Sequence, residues 1–527
     1  METQSASFPQ ASDPQGRLDI PSGSMAAPAG PGTADRRPAA RPELYPKRRA
    51  AGRDLLLAGL LLAAFFLLWD AIRWAEGLGL GEAIGLAALL PIALWYLRSR
   101  PGRLSRFGWI CAALYGIGSL SLAFSGDTLC KLLLLLGLPV LFVLVLLERL
   151  ALRTGEGLLS RLHDFFCAAF SMTFGRISVG AWALLHSGAE GSLRGKRNLA
   201  AALGLLCAVP VLLVLIPLLI SSDAAFAGML GSLDWTVALR GLLVLVYAAF
   251  TALLLFSLLF SSDRGPKALE LGARKGLEPT AVIAFLAAVS GAYVLYLVSQ
   301  FAYFTDAFRG LLPKDFTVAE YARRGFFEMC AIVTINLGLI VLALGLCRKP
   351  GGKLPGAVKG LALFLCVFSL ILVATVLAKM ILYMDRFGLT RLRVQTSVFM
   401  LFLAAVVIAV GLRLFVKRVP VLKLTVALGA AALIALSLAN VDGLVARYNV
   451  DAWRSGRLDS LDMKTVCVLG DGATPVIVEL LDCGEPSIAG AARKELGCRE
   501  IETDWRSWNL VTAQANAALE EVRSKKE

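Results

Sequence analysis

The stretch "LLLAGLLLAAFFLLW", Leu55–Trp69, carries no charge, amide or hydroxyl. A helix crossing a bilayer needs roughly 20 such residues, because each residue advances about 1.5 Å through about 30 Å of hydrocarbon. Such a helix satisfies its own backbone hydrogen bonds without water. Immediately upstream lies "KRRAAGR", Lys47–Arg53, and immediately downstream stand Asp70, Arg73 and Trp74. No small-residue cleavage site follows, so the segment reads as an anchor whose basic flank stays inside.

Comparable runs recur at Leu132–Leu147, Leu199–Ile220, Gly241–Phe260 and Val398–Leu412. The chain is 57% hydrophobic with a mean hydropathy of +0.70, which is unlike a soluble globular surface. These patterns predict an all-α integral membrane protein, a polytopic bundle over 54–439. Its expected spans are 54–72, 78–97, 107–124, 130–148, 199–220, 237–260, 280–304, 326–347, 358–384, 395–416 and 420–439, about eleven in all. Residues 1–53, rich in Pro, Ala, Gly and Ser, read as a disordered N-terminal tail.

The formal charge of +14 raises the question of nucleic acid. Residues 440–527 hold 11 Lys/Arg against 15 Asp/Glu, a net of −4, which leaves +18 for the rest of the chain. That excess gathers in short loops. One set of alternate loops carries Arg98, Arg103 and Arg106, then Arg194, Lys196 and Arg197, then Arg264 and Lys267, then Arg348 and Lys353, then Lys417 and Arg418. Loop charge accounts for the basic balance, and no nucleic-acid partner is expected. The same alternation places the N-terminus in the cytoplasm and the C-terminus outside a bacterial cytoplasmic membrane. Two outer loops break the pattern: 305–325, with Arg309, Lys314, Arg323 and Arg324, and 385–394, with Arg386, Arg391 and Arg393. Cations where translocation disfavours them call for local partners.

Between the spans, 158–189 is more polar, yet Leu162, Phe166, Phe170 and Phe174 recur every four residues. That face predicts an interfacial amphipathic helix, or a helix tucked against the bundle. Gly77, Gly81 and Gly85 repeat at the same interval and predict close helix packing; "GLGLGEAIG" has no strand-turn-helix context for a nucleotide. Beyond Asn440, "SLDMKTVCVLGDGATPVIVELL" has helical spacing broken at Gly470–Gly472. A small extracytoplasmic α-helical segment is expected over 440–527, either folding alone or packing on the outer loops.

Chemistry-bearing motifs are sparse. The two histidines, His163 and His186, have no second ligand at a recognised spacing, and CxxC, HExxH and P-loop patterns do not occur. No catalytic residue, metal or cofactor is expected. Seven of the ten cysteines fall in or beside spans. Of the other three, Cys483 and Cys498 could close a disulfide loop worth about 3 kcal/mol, against free thiols as the alternative.

The densest polar stretch is "LLPKDFTVAEYARRGFFEMC", Leu311–Cys330, where Thr317 and Glu320 form a capping-box pattern. Glu328 stands just inside the following span. Lys379, near the end of a later span, is expected at similar depth, and ionisable groups so placed pair, face water or snorkel. The candidate polar cluster at the outer face comprises Glu320, Tyr321, Arg323, Arg324, Glu328, Lys379, Tyr383, Asp385 and Arg386. It would be a pocket or a salt-bridged clasp.

"FTVAEYARRGFFEMCAIVTINL" (316–337), "KMILYMDRFGLTRLRV" (379–394) and "NVDGLVARYNVDAW" (440–453) resemble the recurring blocks of bacterial multi-pass membrane proteins grouped as domain of unknown function 4173, with relatives under 4153. The similarity runs over about 195–481. It implies membrane placement and no assigned activity. Three roles fit: a non-enzymatic component that senses or assembles with a membrane or extracytoplasmic protein through the outer loops and tail, a transporter or lipid-handling protein, or, least supported, a membrane enzyme, for which acid, base and nucleophile do not converge.

Overall fold

Helices that bury one face and leave the other to lipid group here around two separate apolar cores. The structure is a computed structural model. It describes residues 48–74, 78–99, 102–150, 158–187, 235–263, 276–308, 326–350, 353–416, 418–501 and 503–525, with isolated positions between 208 and 222. The tail 1–47 and the expected span 199–220 thus lie outside the described residues, apart from those isolated positions. Ten helices among the described residues are long and apolar enough to cross a membrane. The one β feature described is an isolated bridge between Leu277 and Cys347.

The first core is built by α1 (Gly52–Trp74), α2 (Leu80–Leu97), α3 (Arg106–Ser121), α4 (Thr128–Arg149) and α8 (Trp235–Phe260). The second is built by α9 (Pro279–Phe308), α10 (Phe326–Leu346), α11 (Gly356–Phe387) and α12 (Arg391–Phe415). Helix α13 (Val421–Leu438) joins them, packing on α3, α4 and α12. α3 has only 16 residues, short for a span, and a turn at 122–124 extends it.

Close packing explains Gly81 and Gly85 of the glycine repeat, Gly77 lying outside the described residues. A methyl at Gly81 would lie 2.6 Å from Ala71 Cβ, and one at Gly85 would lie 3.0 Å from Leu68 Cβ, so α1 and α2 meet along that face.

The polar segment forms α5 (Leu158–Phe166), a π-helical turn (Cys167–Met172), α6 (Thr173–Gly175) and α7 (Ile177–Leu185). By length and composition 161–185 could also span a membrane. Its inward face docks on α8: Arg176 is buried and donates to Ser261 O at 3.1 Å, and the Ala183 carbonyl accepts from Ala50 N at 3.1 Å. Phe166, Phe170 and Phe174 remain exposed on the other side.

After α13 come α14 (Val441–Arg454), α15 (Met463–Cys467), α16 (Thr474–Glu479), α17 (Pro486–Cys498) and α18 (Leu510–Ser524). Their apolar faces close a third core around Val445, Val450, Val466, Ile477, Leu480 and Leu519. The tail therefore has its own core and is also fastened to the bundle. Cys483 and Cys498 are free thiols. Cys498 is the last residue of α17, whose rise from Pro486 is about 18 Å, and Cys483 lies three residues before the helix starts.

Candidate functional site

The ionisable groups of the described chain collect at two ends of the bundle. At one end α1 begins and α2 finishes. At the other, α2 begins, α11 finishes and the C-terminal domain sits.

The tail end is a seam of paired polar groups. Arg391, in the first turn of α12, donates through Nε and Nη2 to both oxygens of Asp442 at 2.5 Å, and Asp442 also accepts from Gly470 N at 3.0 Å. Asp442 is buried, so this bidentate, charge-assisted pair is shielded from competing water. Asn440 precedes α14 in a left-handed conformation, φ 42°, which Asn tolerates better than most residues. Its Oδ1 accepts from Gly443 N at 3.2 Å, and a methyl at Gly472 would overlap that same oxygen. The GDG break in the tail is thus where a turn meets the start of α14.

About two turns further along α14, Asn449 brackets the α11–α12 link. It accepts from Leu389 N at 2.6 Å and donates to Leu389 O at 2.8 Å. Gly388, at φ 72°, ends α11 and leaves room for the Asn449 amide. Arg393 lies over the Tyr383 ring at 4.2 Å and donates to the carbonyls of Phe387 and Gly388, satisfying helix-end acceptors. The pattern-breaking Arg391 and Arg393 therefore have local partners.

The seam reaches the first core as well. Asp127 caps α4, accepting from Leu129 N at 2.9 Å, and Gln395 of α12 donates to its other oxygen at 2.5 Å. The stretch before α18 binds the bundle through its backbone: Leu80 N donates to Trp508 O at 2.9 Å, Gly81 N to Arg506 O at 3.0 Å, and Leu510 N to Ala123 O at 2.9 Å. Arg506 pairs with Asp70 at 3.1 Å. Beneath this contact Glu82 is buried, with Oε2 accepting from Gly79 N at 2.7 Å, while Lys131 reaches the Leu78 carbonyl.

Of the sequence-derived cluster, Glu320, Tyr321, Arg323 and Arg324 lie outside the described residues. Glu328, Asp385 and Arg386 are exposed, and Lys379 and Tyr383 are half-buried. The described residues that do converge are Arg391, Asp442, Asn449, Gln395 and Asp127. Apart from Arg391, sequence reasoning had not singled these out. The available signal was the position of Arg391 and Arg393 on the wrong side, matched by an Asn-Val-Asp-Gly start just after the last span.

Within the C-terminal domain, the Thr465 hydroxyl and backbone amides hold Asp462 below the ordinary carboxylate range. Burial raises the Cys467 thiol above its ordinary value. Among the described residues no group of three or more His, Cys, Asp or Glu could hold a metal ion.

A family model described as Domain of unknown function (DUF4153) matches residues 56–480. The match starts within α1, far ahead of the region where the sequence blocks are most evident, and it names the 4153 group rather than 4173. No curated protein and no solved structure matches the chain.

Proposed function

The chain belongs to the DUF4153 family, whose name assigns no activity, and we propose from the seam that it is a non-enzymatic sensing or assembly component of a bacterial cytoplasmic membrane. The end where α1 begins faces the cytoplasm, and the C-terminal domain faces outward. Support for that orientation is the gathering of Arg98, Arg103, Arg106, Arg348 and Lys353 at the same end as the start of α1. Trp505 and Trp508, half-exposed beside the start of α2, suit the opposite headgroup layer.

The observation that carries the proposal is that a domain with its own core is fastened to helices of both bundle cores, through Arg391–Asp442 and the Leu80–Trp508 backbone bond, while Asp127–Gln395 ties the two cores to each other. A partner that binds the domain can thereby bias both cores. A local event with global readout needs such a coupled element.

Val468 is the most exposed large hydrophobic residue described, at 83%. A photo-cross-linking residue at position 468 should give one protein adduct of discrete mass in cells, and one at Leu136 should give lipid adducts only. Truncation after Asn440 should abolish co-purification of that same protein with the tagged chain and leave the bundle inserted. Lipid adducts alone from both positions, or accessibility labelling that finds Val468 on the same side as Arg49, would overturn the proposal.

A further inference from the structure

At the other end of the bundle the side chains leave a space. Arg48, Ala51, Arg53, Asp54, Tyr96 and Ser99 line an open cavity of about 280 Å³ between the start of α1 and the end of α2. We propose that this cavity binds a phosphate-bearing anion, which in the membrane is the headgroup of an anionic phospholipid.

The charge balance of the lining is the first ground. Two guanidinium groups face one carboxylate. Asp54 is saturated: Arg48 donates to its two oxygens at 2.9 and 3.1 Å, Ala51 N donates at 2.9 Å and the Tyr96 hydroxyl at 2.7 Å. Its charge is matched by Arg48, so no carboxylate in the lining opposes Arg53.

Arg53 is held without being neutralised. Its Nη2 donates to the carbonyls of Trp95 and Tyr96 at 2.9 and 3.0 Å, and its guanidinium lies 5.1 Å above the Trp95 ring. Among the described residues no partner is recorded for its Nε or Nη1. An arginine fixed on one edge and open on the other presents a ready fork to phosphate oxygens. The first backbone amides of α1 add the positive end of a helix dipole.

The surroundings distinguish a lipid from a free ion. Leu56 and Leu60 follow Arg53 at intervals of three and four residues, which places them on the same face of α1, and both are exposed. An acyl chain would continue from the cavity along that lane. Trp95 and Trp109, exposed at the same end, mark the depth of the headgroup layer. Basic clefts between spans at the cytoplasmic face are suited to anionic headgroups.

The test uses the full chain in an uncharged detergent, with thermal unfolding followed as dioleoyl-phosphatidylglycerol, dioleoyl-phosphatidylcholine or inorganic phosphate is added. Phosphatidylglycerol should raise the midpoint and phosphatidylcholine should not. Arg53→Ala should weaken the phosphatidylglycerol response about tenfold, as expected for one lost charge-assisted bond, the response being read as the shift from each variant's own lipid-free midpoint. If that variant does not fold, Ser99→Glu carries the test, since it places a carboxylate on an exposed turn beside the cavity. Equal responses to the two lipids, or variants that respond like the parent, would overturn the site. A rise with inorganic phosphate alone that needs Arg53, with nothing added by phosphatidylglycerol, would keep the anion site and overturn the lipid occupant.

Discussion

The two ends of the bundle spend their charges differently. At the tail end Arg391 and Arg506 meet the carboxylates Asp442 and Asp70, while Arg393 and Lys131 are taken up by the end of α11 and by Leu78 O. At the α1 end Arg48 is matched by Asp54, but Arg53 rests on backbone carbonyls with no carboxylate opposite it in the cavity, and Arg348 forms with Glu278 a pair in which both side chains are 65% exposed. Internal pairing fixes a domain in place, whereas charge left open at a membrane surface is available to something outside the chain. The contrast predicts that substitutions at the tail end act on stability, and that those around Arg53 act on binding.

The largest effect is expected at Asp442. Asp442→Ala strands Arg391 and leaves Gly470 N without its acceptor. Breaking a buried pair by removing one partner costs about 3–5 kcal/mol. Arg391 keeps about a third of its side-chain exposure, 34%, so the lower part of that range applies. Limited proteolysis should then release the C-terminal domain before the bundle is cut, and the unfolding midpoint should fall. Gly472→Ala, which forces a methyl onto Asn440, should weaken the same joint by about 1–3 kcal/mol, the usual cost of overpacking. If Asp442→Ala leaves proteolysis unchanged, the seam does not hold the domain.

The spans were legible in the sequence because twenty apolar residues have few alternatives to a bilayer-crossing helix. The fit is close for α2, α4, α12 and α13, whereas α3, expected as a span over 107–124, has 16 residues and is not among the ten helices long and apolar enough to cross. The seam was only half legible. Arg391 and Arg393 stood out by violating loop charge, but Asp442 lies 51 residues after Arg391, and no periodicity records such a pairing. Glu328 stood out for being acidic inside an apolar run, yet it is exposed at the start of α10, where the first helical turn favours an acid. Cysteine spacing left the Cys483–Cys498 link open against free thiols, and both residues are free thiols in the structure.

A middle-sized effect is expected at Asp462, and it depends on pH. Asp462 caps α15, accepting from Lys464 N at 3.0 Å and from the Thr465 hydroxyl at 2.7 Å. Its folded pKa is depressed by the Thr465 hydrogen bond first, with backbone amides adding to it. A carboxyl depressed on folding contributes its stability above its unfolded pKa, and that contribution is lost as pH falls through the folded value. Asp462→Ala should therefore cost about 1 kcal/mol at neutral pH, as a lost cap does. The gap to the parent should close in acid. Thermal melts from pH 7 downward check this, and a gap that does not begin to narrow as pH falls below the ordinary carboxylate range would mean that the cap does not act through the ionised carboxylate.

The smallest effect should come from Glu479, and it sharpens the comparison most. Its carboxylate takes two bonds from Arg447, at 2.7 and 2.8 Å, which is the same bidentate form as Arg391–Asp442. The difference is solvent: the side chains of Arg447 and Glu479 are 48% and 38% exposed, whereas that of Asp442 is 4% exposed. Water and salt replace much of what an exposed pair loses, so Glu479→Ala should cost about 0.5 kcal/mol and less at high ionic strength. Comparing it with Asp442→Ala in low and high salt separates geometry from burial. If the two variants proved equal, the bonding pattern alone would govern the seam. A large, salt-insensitive loss at Asp442 beside a small, salt-screened one at Glu479 would assign the strength of the joint to its exclusion of water.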